Sequence, residues 1–600
     1  MTTCEITRLA FSQETLKAWG STDPRHSNWP VVYVLDDSHK DSEPAGRLSL
    51  NEVYVGESLN VAARMRQHLD SSQKNHLTTV RVIVDKTFNK SVCLDLESYL
   101  IRLLAGDGRY SVLNRNDGVT DADYYDRATY RAKFLEIFDE LRRDGLFSRT
   151  VPEIENSDHF KLSPFKALTP DQASSVEDIL EGLFEDLQRG AQSTIVIQGA
   201  PGTGKTVLAI YLLKLIIDIG RTTPAEGLDG NSMFSDFFGS GYGDLVKDIR
   251  IGLVVPQQSL RESIKKVFNK TPGLHPGMVL TPFDVGGAEQ DFDVLLIDET
   301  HRLNQRANQP SGVQNKKFRE ITETLFGSDD LTKTQLDWIR TKSKHQIFLL
   351  DAAQSVRPAD LPRTLLDELV RETERSGRHY RLTSQMRVRA GDDYVGYVRA
   401  ILRPPSVAPR ELVRQEFEGY DFRMFDSVAD MREEIRRRDA ESGLARLVAG
   451  YAWEWKSRSD KTAHDIEIDG SYLRWNSSAI DWIASPKSLE EVGSIHTVQG
   501  YDLNYAGVII GPDLTYDMAN RQLTIDRAAY FDKKGKENNP VLGKAYGDQD
   551  LLQFITNIYA VLLTRGILGT YVYACDPGLR AYLAKFIGNG SATGGGPASR

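Results

Sequence analysis

Gly199-Ala-Pro-Gly-Thr-Gly-Lys-Thr206 is the stretch that decides how this 600-residue chain is read. The octet follows the β-branched run STIVIQ (193–198) and opens the apolar segment VLAIYLLKLIID (207–218). Strand, glycine loop, Lys-Thr pair and helix form the setting in which backbone N–H groups close around phosphates at a helix N-terminus. Gly199, Gly202 and Gly204 let that loop turn. Lys205 is placed to reach the β- and γ-phosphates of ATP, and the Thr206 hydroxyl to coordinate Mg²⁺. The helix is short and broken by Lys214, so a buried helix is expected here, not a membrane span.

Further apolar runs follow: IGLVVPQ (251–257), DVLLIDE (293–299), HQIFLLD (345–351), GVIIGP (507–512) and GTYVYAC (569–575). They alternate with helical patterns, which predicts parallel sheets of the doubly wound kind. Asp298 and Glu299 end one such run, where two carboxylates meet a nucleotide at the sheet edge. Asp298 is expected to hold the metal through water, and Glu299 to position the attacking water. Residues 219–247, rich in Gly, Ser and Phe, and the charged stretch 302–345 interrupt the alternation and read as insertions.

Upstream, residues 29–120 read as a smaller α/β unit. Val31–Leu35 and Glu52–Val55 predict strands, LNVAARMRQHLD (59–70) a helix, TVRVIVD (79–85) a strand, and LDLESYLIRLLAG (94–106) an amphipathic helix ending at Gly106. A charged helix is expected over 125–145. The irregular segment near 148–170 predicts a boundary. The division expected is an N-terminal α/β domain over 1–147 (core 29–120), a linker over 148–165, lobes over 166–380 and 381–586, and a disordered tail over 587–600.

At 40% hydrophobic and 26% charged residues, the composition is that of a soluble multidomain protein. The net charge of -10 excludes a chain-wide polycation but leaves room for a local basic groove. Cys4, Cys93 and Cys575 form no CxxC pair, so neither a disulfide framework nor a zinc site is indicated. MTTCEITRLAFSQ lacks the features of a signal peptide, and a cytoplasmic location with no membrane partner is expected.

From Leu168 to about Phe586 the chain resembles a superfamily 1 helicase motor, and most of all the Schlafen-type group. LTPDQ ending at Gln172 is similar to the Q-motif, which implies that Gln172 reads the adenine. VVPQQSL (254–260) is similar to motif Ia, which touches the nucleic-acid backbone, and Asp298-Glu-Thr-His301 to motif II. Asp351 and Gln354 match motif III, which couples the γ-phosphate to the nucleic acid. Arg387 in TSQMR and Arg565 in LLTRG fall where the family places arginine fingers that complete the site on closure. His496-Thr-Val-Gln499-Gly500 matches motif V, followed by Asp502 where related motors often carry a Glu at the ribose contact. YAWEWKSRS (451–459) and YLRWN (472–476) also resemble the group. Their Trp453, Trp455 and Trp475 are either core aromatics or platforms for the bases of a single strand.

Residues 31–116 resemble a GIY-YIG endonuclease domain: Val31-Val32-Tyr33 stands for the first motif and Tyr54-Val55-Gly56 for the second. Arg64 and His68 follow one turn apart on the next helix, Glu97 on the helix after it, and Asn114 in the closing VLNRN. The chain departs from the family at Val31, where a Gly is usual, and in a longer loop between the two motifs. The resemblance implies that Glu97 holds one divalent ion (Mg²⁺, or Mn²⁺) and that Tyr33 activates water with Tyr54 in its network. Arg64 would neutralise the charge developing on the phosphate. His68 or His76 would assist proton transfer, and Gly56 is expected to let the backbone turn tightly after the strand.

Together these features imply an ATP-dependent nuclease and helicase, α/β throughout, with a small GIY-YIG domain followed by two RecA-like parallel-sheet lobes. The expected partner is nucleic acid, DNA over RNA, with a homo-oligomer or accessory defence proteins beside it. Such fusions resemble restriction or anti-phage enzymes. DNA repair, a nucleotide-gated nuclease that does not unwind, and a nucleic-acid sensor with a vestigial nuclease are the alternatives.

Overall fold

The computed structural model of the chain describes residues 4–37, 50–71, 73–114, 123–222, 234–239, 241–306, 309, 311–351, 357–384, 388, 392–403, 412–478, 482–498 and 501–589. The chain falls into two compact units, one centred on an N-terminal sheet and one holding two larger sheets.

The N-terminal sheet is built from β1 (Glu5–Ala10), β2 (Val31–Asp36), β3 (Asn51–Ser58), β4 (Thr79–Val84) and β5 (Tyr110–Val112), in the order β1-β4-β2-β3-β5. Only β3 and β5 run parallel. Strand alternation divides its side chains between two cores. Val32, Val34, Val53 and Val55 pack toward the helix Lys90–Asp107, while Val31, Tyr33, Leu35 and Tyr54 pack with Val61 and Met65 of the helix Val61–Asp70. β2 is therefore buried on both faces, as its unbroken apolar run predicts. The charged helix expected over 125–145 is present as Arg127–Arg143.

The segment expected to be an irregular linker is instead ordered into two short helices, Val151–Glu155 and Asp158–Lys161, with side-chain caps from Thr150 and Ser157. Ile154 and Phe165 are buried in the same core as the helix Lys90–Asp107. The prolines and caps that look like loop composition here start short helices.

The second unit holds two sheets, six-stranded and entirely parallel. In the first, β6 (Ser193–Gly199), β7 (Ile251–Val254), β8 (Val279–Leu280), β9 (Phe292–Ile297), β10 (Ser343–Leu350) and β11 (His379–Leu382) take the order β11-β6-β10-β9-β7-β8. In the second, β12 (Asp421–Met424), β13 (Ala445–Ala449), β16 (Val492–Ser494), β17 (Leu503–Ile510), β20 (Gly566–Ala574) and β21 (Gly588–Asn589) take the order β16-β13-β17-β20-β12-β21. The hairpins β14 (Ile466–Ile468) with β15 (Ser471–Leu473), and β18 (Leu514–Asp517) with β19 (Gln522–Ile525), are inserted in the second lobe. These are two RecA-like lobes, the doubly wound arrangement that the alternating apolar runs predict.

The charged stretch 302–345 carries the helices Gly312–Phe326 and Gln335–Thr341, with Phe318, Ile321 and Trp338 as a small core. Most of 223–233 and the tail beyond residue 589 lie outside the described residues. No helix among the described residues is long and apolar enough to cross a membrane.

Candidate functional site

β6 ends in the glycine loop, and Gly202 (φ 88°) and Gly204 (φ 79°) take left-handed conformations closed to most side chains. The helix Lys205–Arg221 begins at the loop's last lysine. The Lys205 ammonium folds back and donates to the carbonyls of Gly199 (2.7 Å) and Ala200 (2.9 Å). The Thr206 hydroxyl donates to Asp298 Oδ2 at 2.7 Å. Hydroxyl and carboxylate are hard oxygen donors side by side at the loop, a set that suits Mg²⁺. Burial, with Glu299 beside it, pushes the Asp298 carboxyl up to about 6.

Glu299 directly follows at φ 48°, an uncommon conformation for a residue with a side chain. Burial acts to raise its carboxyl. His301, whose Nε2 lies 3.0 Å from Oε2, outweighs burial together with Lys205 and Arg302, and holds Glu299 well below the usual carboxylate range. The two neighbouring acids are thus driven apart, one toward the proton and one firmly ionised. His301 belongs to motif II in sequence, but nothing in its spacing there assigns it a part in this pair.

Several polar links among the described residues join the two lobes. Arg357 Nη2 lies 2.7 Å from His496 Nε2, which in turn lies 3.1 Å from Asp532 Oδ2. Burial, and Arg357 beside it, take the His496 imidazole down to about 4, so it is neutral at pH 7. Arg565 is buried and donates to the Tyr501 carbonyl at 3.3 Å, while the Tyr501 hydroxyl lies 3.0 Å from the Ser263 hydroxyl and 3.3 Å from the Ser259 carbonyl. Asp351 is buried and accepts from Arg399 at 3.4 Å. Arg357, Arg399, Tyr501 and Asp532 escape a reading of the sequence because a lone Arg, Tyr or Asp outside a motif carries no signal. Asp502 is half-buried just ahead of β17. Gln172 is buried at the start of the helix Pro170–Arg189, its side-chain oxygen accepting from the Thr169 N–H at 3.1 Å. Gln354, Arg387, Gln499 and Gly500 lie outside the described residues.

The N-terminal unit gathers most of its expected residues in one place. The Tyr33 hydroxyl lies 2.7 Å from His68 Nε2, and the Tyr54 ring meets His68 edge-on at 5.2 Å. Burial, reinforced by Tyr54, raises the Tyr33 phenol well above its ordinary value, while Arg64 acts against that rise through its charge and a hydrogen bond. Glu97, half-buried on the helix Lys90–Asp107, also bears on Tyr33 electrostatically. Burial, with Lys74 and Arg64, lowers His68 to about 3. At pH 7 Tyr33 is protonated and His68 neutral, so Nε2 is able to accept the tyrosine proton in the Nδ1–H tautomer. Lys74 lies over the Tyr54 ring, 3.5 Å from its centroid.

Three expectations are revised here. Gly56 does not make a turn; it lies inside β3 opposite Tyr33, and a Cβ on it would come within 2.3 Å of the Tyr33 hydroxyl oxygen. Asn114 is bound to the backbone of Val55, accepting from its N–H at 3.0 Å and donating to its carbonyl at 2.7 Å, so it holds the strand that carries Tyr54. His76 stands apart from the cluster, paired with Glu52. Among the described residues no group of three or more His, Cys, Asp or Glu side chains is placed to hold a metal. A single carboxylate such as Glu97 suits a hard divalent ion that keeps most of its water.

Two parallel-sheet lobes with a phosphate loop on the first define a helicase-type motor. The chain belongs to the Schlafen group 3 family: residues 192–576 match the family's DNA/RNA helicase domain. It is 26% identical over 416 residues to the uncharacterized protein YPL245W of Saccharomyces cerevisiae (strain ATCC 204508 / S288c), covering 65% of this chain and 83% of that one. Among solved structures, the Arterivirus nonstructural protein 10 helicase is 12% identical with a TM-score of 0.28, covering 67% of this chain and 64% of that chain. The DEAD-box helicase Mss116 bound to ssRNA and UDP-BeF is 13% identical with a TM-score of 0.29, covering 73% of this chain and 75% of that chain.

Proposed function

We propose that the chain is an ATP-hydrolysing nucleic-acid motor joined to a GIY-YIG-type endonuclease, acting on DNA. The observation that carries the nuclease half is the Tyr33–His68 hydrogen bond at 2.7 Å, with Arg64 and Glu97 acting on the same phenol. A phenol raised by burial does not work as a base while it keeps its proton. His68 gives that proton a place to go: as Tyr33 takes a proton from water, it passes its own to Nε2. Arg64, which bears on the same phenol, would oppose the negative charge that develops on the reacting phosphate. A divalent cation on Glu97 would stabilise the leaving oxygen when bound.

In the motor, Lys205 leaves its loop carbonyls for the nucleotide phosphates. Glu299, kept ionised by His301, orients the attacking water. Mg²⁺ held by Thr206 and, through water, Asp298 would neutralise phosphate charge. Arg565 reaches the nucleotide from the second lobe on closure. The fusion resembles restriction and anti-phage defence enzymes, and that is the biological role proposed.

The test is cleavage of long linear and circular DNA in Mg²⁺ with ATP, with a non-hydrolysable analogue, and with no nucleotide. Cutting only with ATP means that turnover drives or licenses the nuclease. Equal cutting with the analogue makes the motor a binding-gated switch. No cutting in any lane, with ATPase intact, overturns the DNA endonuclease.

A further inference from the structure

The second lobe contains a cavity of about 1060 Å³ that the nucleotide chemistry does not use. It lies between the short helix Lys456–Arg458, the β14–β15 hairpin and the segments 474–477 and 487–491. In a chain of net charge -10, six cationic side chains line it (Arg357, Arg432, Arg458, Lys461, Arg474, Lys487) against two acids, Glu490 and Glu491. The acids are engaged: Glu490 pairs with Arg432 and Arg436, and Glu491 accepts from the Ser477 N–H and the Trp482 indole. Arg474 is held by the carbonyls of Ala463 and Thr462. Arg458, Lys461 and Lys487 make no ion pair among the described residues, so their charge faces outward.

The walls are built rather than incidental. Buried Asp465 accepts from the Ser457 N–H (2.7 Å), the Ser457 hydroxyl (2.6 Å) and the Trp475 N–H (2.8 Å), tying two sides together. Aromatic faces stand beside the cations: Trp455 is half-buried, Tyr472 is 53% exposed, and Trp475 is 1% exposed. The Trp475 indole N–H is buried without a hydrogen-bond partner among the described residues. A buried donor without a partner is uncommon and costs stability unless a ligand satisfies it.

Taking the chain as the nucleic-acid motor proposed above, we infer that this cavity binds a single-stranded segment of nucleic acid, phosphates on Lys461, Lys487 and Arg458 and an unpaired base against Tyr472 or Trp455. Stacking needs a base with its face free, which a duplex withholds. The volume stands at the upper end of the roughly 300–1,000 Å³ of small-molecule pockets, and the cations lie spread along its rim, which suits a stretch of strand. Arg357 links the cavity to the motor, since it lines the wall and also bonds His496 of motif V.

The test is anisotropy with a short unstructured oligonucleotide and with its duplex, over a salt series, for the wild-type chain, Lys461→Gln/Lys487→Gln and Tyr472→Ala. The substituted side chains are exposed, so the fold should persist. Wild-type protein should prefer the single strand. Each variant should bind it about tenfold more weakly. The lysine pair should also flatten the salt dependence, by about 0.7 in slope for each phosphate that no longer meets a lysine. Variants that bind as tightly as the wild type would overturn the cavity assignment and leave the motor standing. Wild-type protein that binds neither strand nor duplex would overturn the motor reading itself. Equal binding of duplex, or displacement of the strand by an equal concentration of nucleoside monophosphate, would overturn the strand assignment.

Discussion

Arg357 Nη2 lies 2.7 Å from His496 Nε2, which joins the chain just beyond motif III of the first lobe to motif V of the second. The imidazole is neutral at pH 7, so the bond is a guanidinium donating to a ring nitrogen; Asp532 Oδ2 lies 3.1 Å from the same nitrogen and 3.8 Å from Arg357 Nε, so its charge faces the guanidinium. A bond of this kind reports the relative placement of the lobes to both ends. Arg357→Ala should retain basal ATP turnover and lose roughly tenfold in its stimulation by nucleic acid. A double-mutant cycle with His496→Ala should show the two losses to be non-additive.

In the phosphate loop, Lys205→Ala should abolish ATPase, with turnover reduced at least about a hundredfold, and leave thermal unfolding near the wild type. Arg565→Ala should keep nucleotide binding and lose hydrolysis by about 10³-fold. Normal turnover in the arginine variant, measured by phosphate release, would remove its role as a finger.

Cleavage should fail separately from the motor. Glu97→Ala and Tyr33→Phe should each stop DNA cutting while ATPase persists. Supercoiled-plasmid relaxation and phosphate release, run on the same preparation, check both halves at once.

Depressed histidines, His68 and His496 among them, make stability fall with acid. His68, at about 3, stays neutral in the folded chain through pH 5, whereas the unfolded chain takes up a proton near 6.5. The unfolded state binds more protons between those values, so the contribution is intact above about 6.5 and declines as pH falls toward 3. At pH 5 His68 alone should cost roughly 2 kcal/mol. Unfolding midpoints at pH 7 and pH 5 should differ less in His68→Asn than in the wild type.

Gly56→Ala should destabilise the N-terminal unit by about 1–3 kcal/mol, because the new methyl meets the Tyr33 ring and its hydroxyl. Tyr33→Phe/Gly56→Ala should regain little, since the ring itself stands within 2.4 Å of the added carbon. Tyr33→Ala opens a cavity of its own, so the clash is isolated by comparison: adding Gly56→Ala to Tyr33→Ala should cost far less than adding it to the wild type, read as the unfolding midpoint.

The two parallel sheets are legible in the sequence because their strands are buried on both faces and so appear as unbroken apolar runs, such as VLLI before Asp298 and IFLL before Asp351. The glycine octet marks which strand bears the loop. The strands β8, β11 and β21 at sheet edges, and β12 beside β21, carry no comparable signal, being only two to four residues long. Tyr33, Tyr54, Arg64, His68 and Glu97 stand out through motif order. Pairing of His301 with Glu299, and of Asn114 with Val55, depends on chain folding that no local spacing encodes. Gly56 is conspicuous in sequence for a reason other than the one it suggests, because a glycine required by a neighbouring ring leaves the same mark as one required by a turn.

That neighbouring ring has a consequence for descent. Tyr33 and Gly56 occupy one volume between them, so neither position is free to drift alone. Once the aromatic is lost, nothing refuses a side chain at 56; while the aromatic stays, the glycine is the one residue that leaves it room.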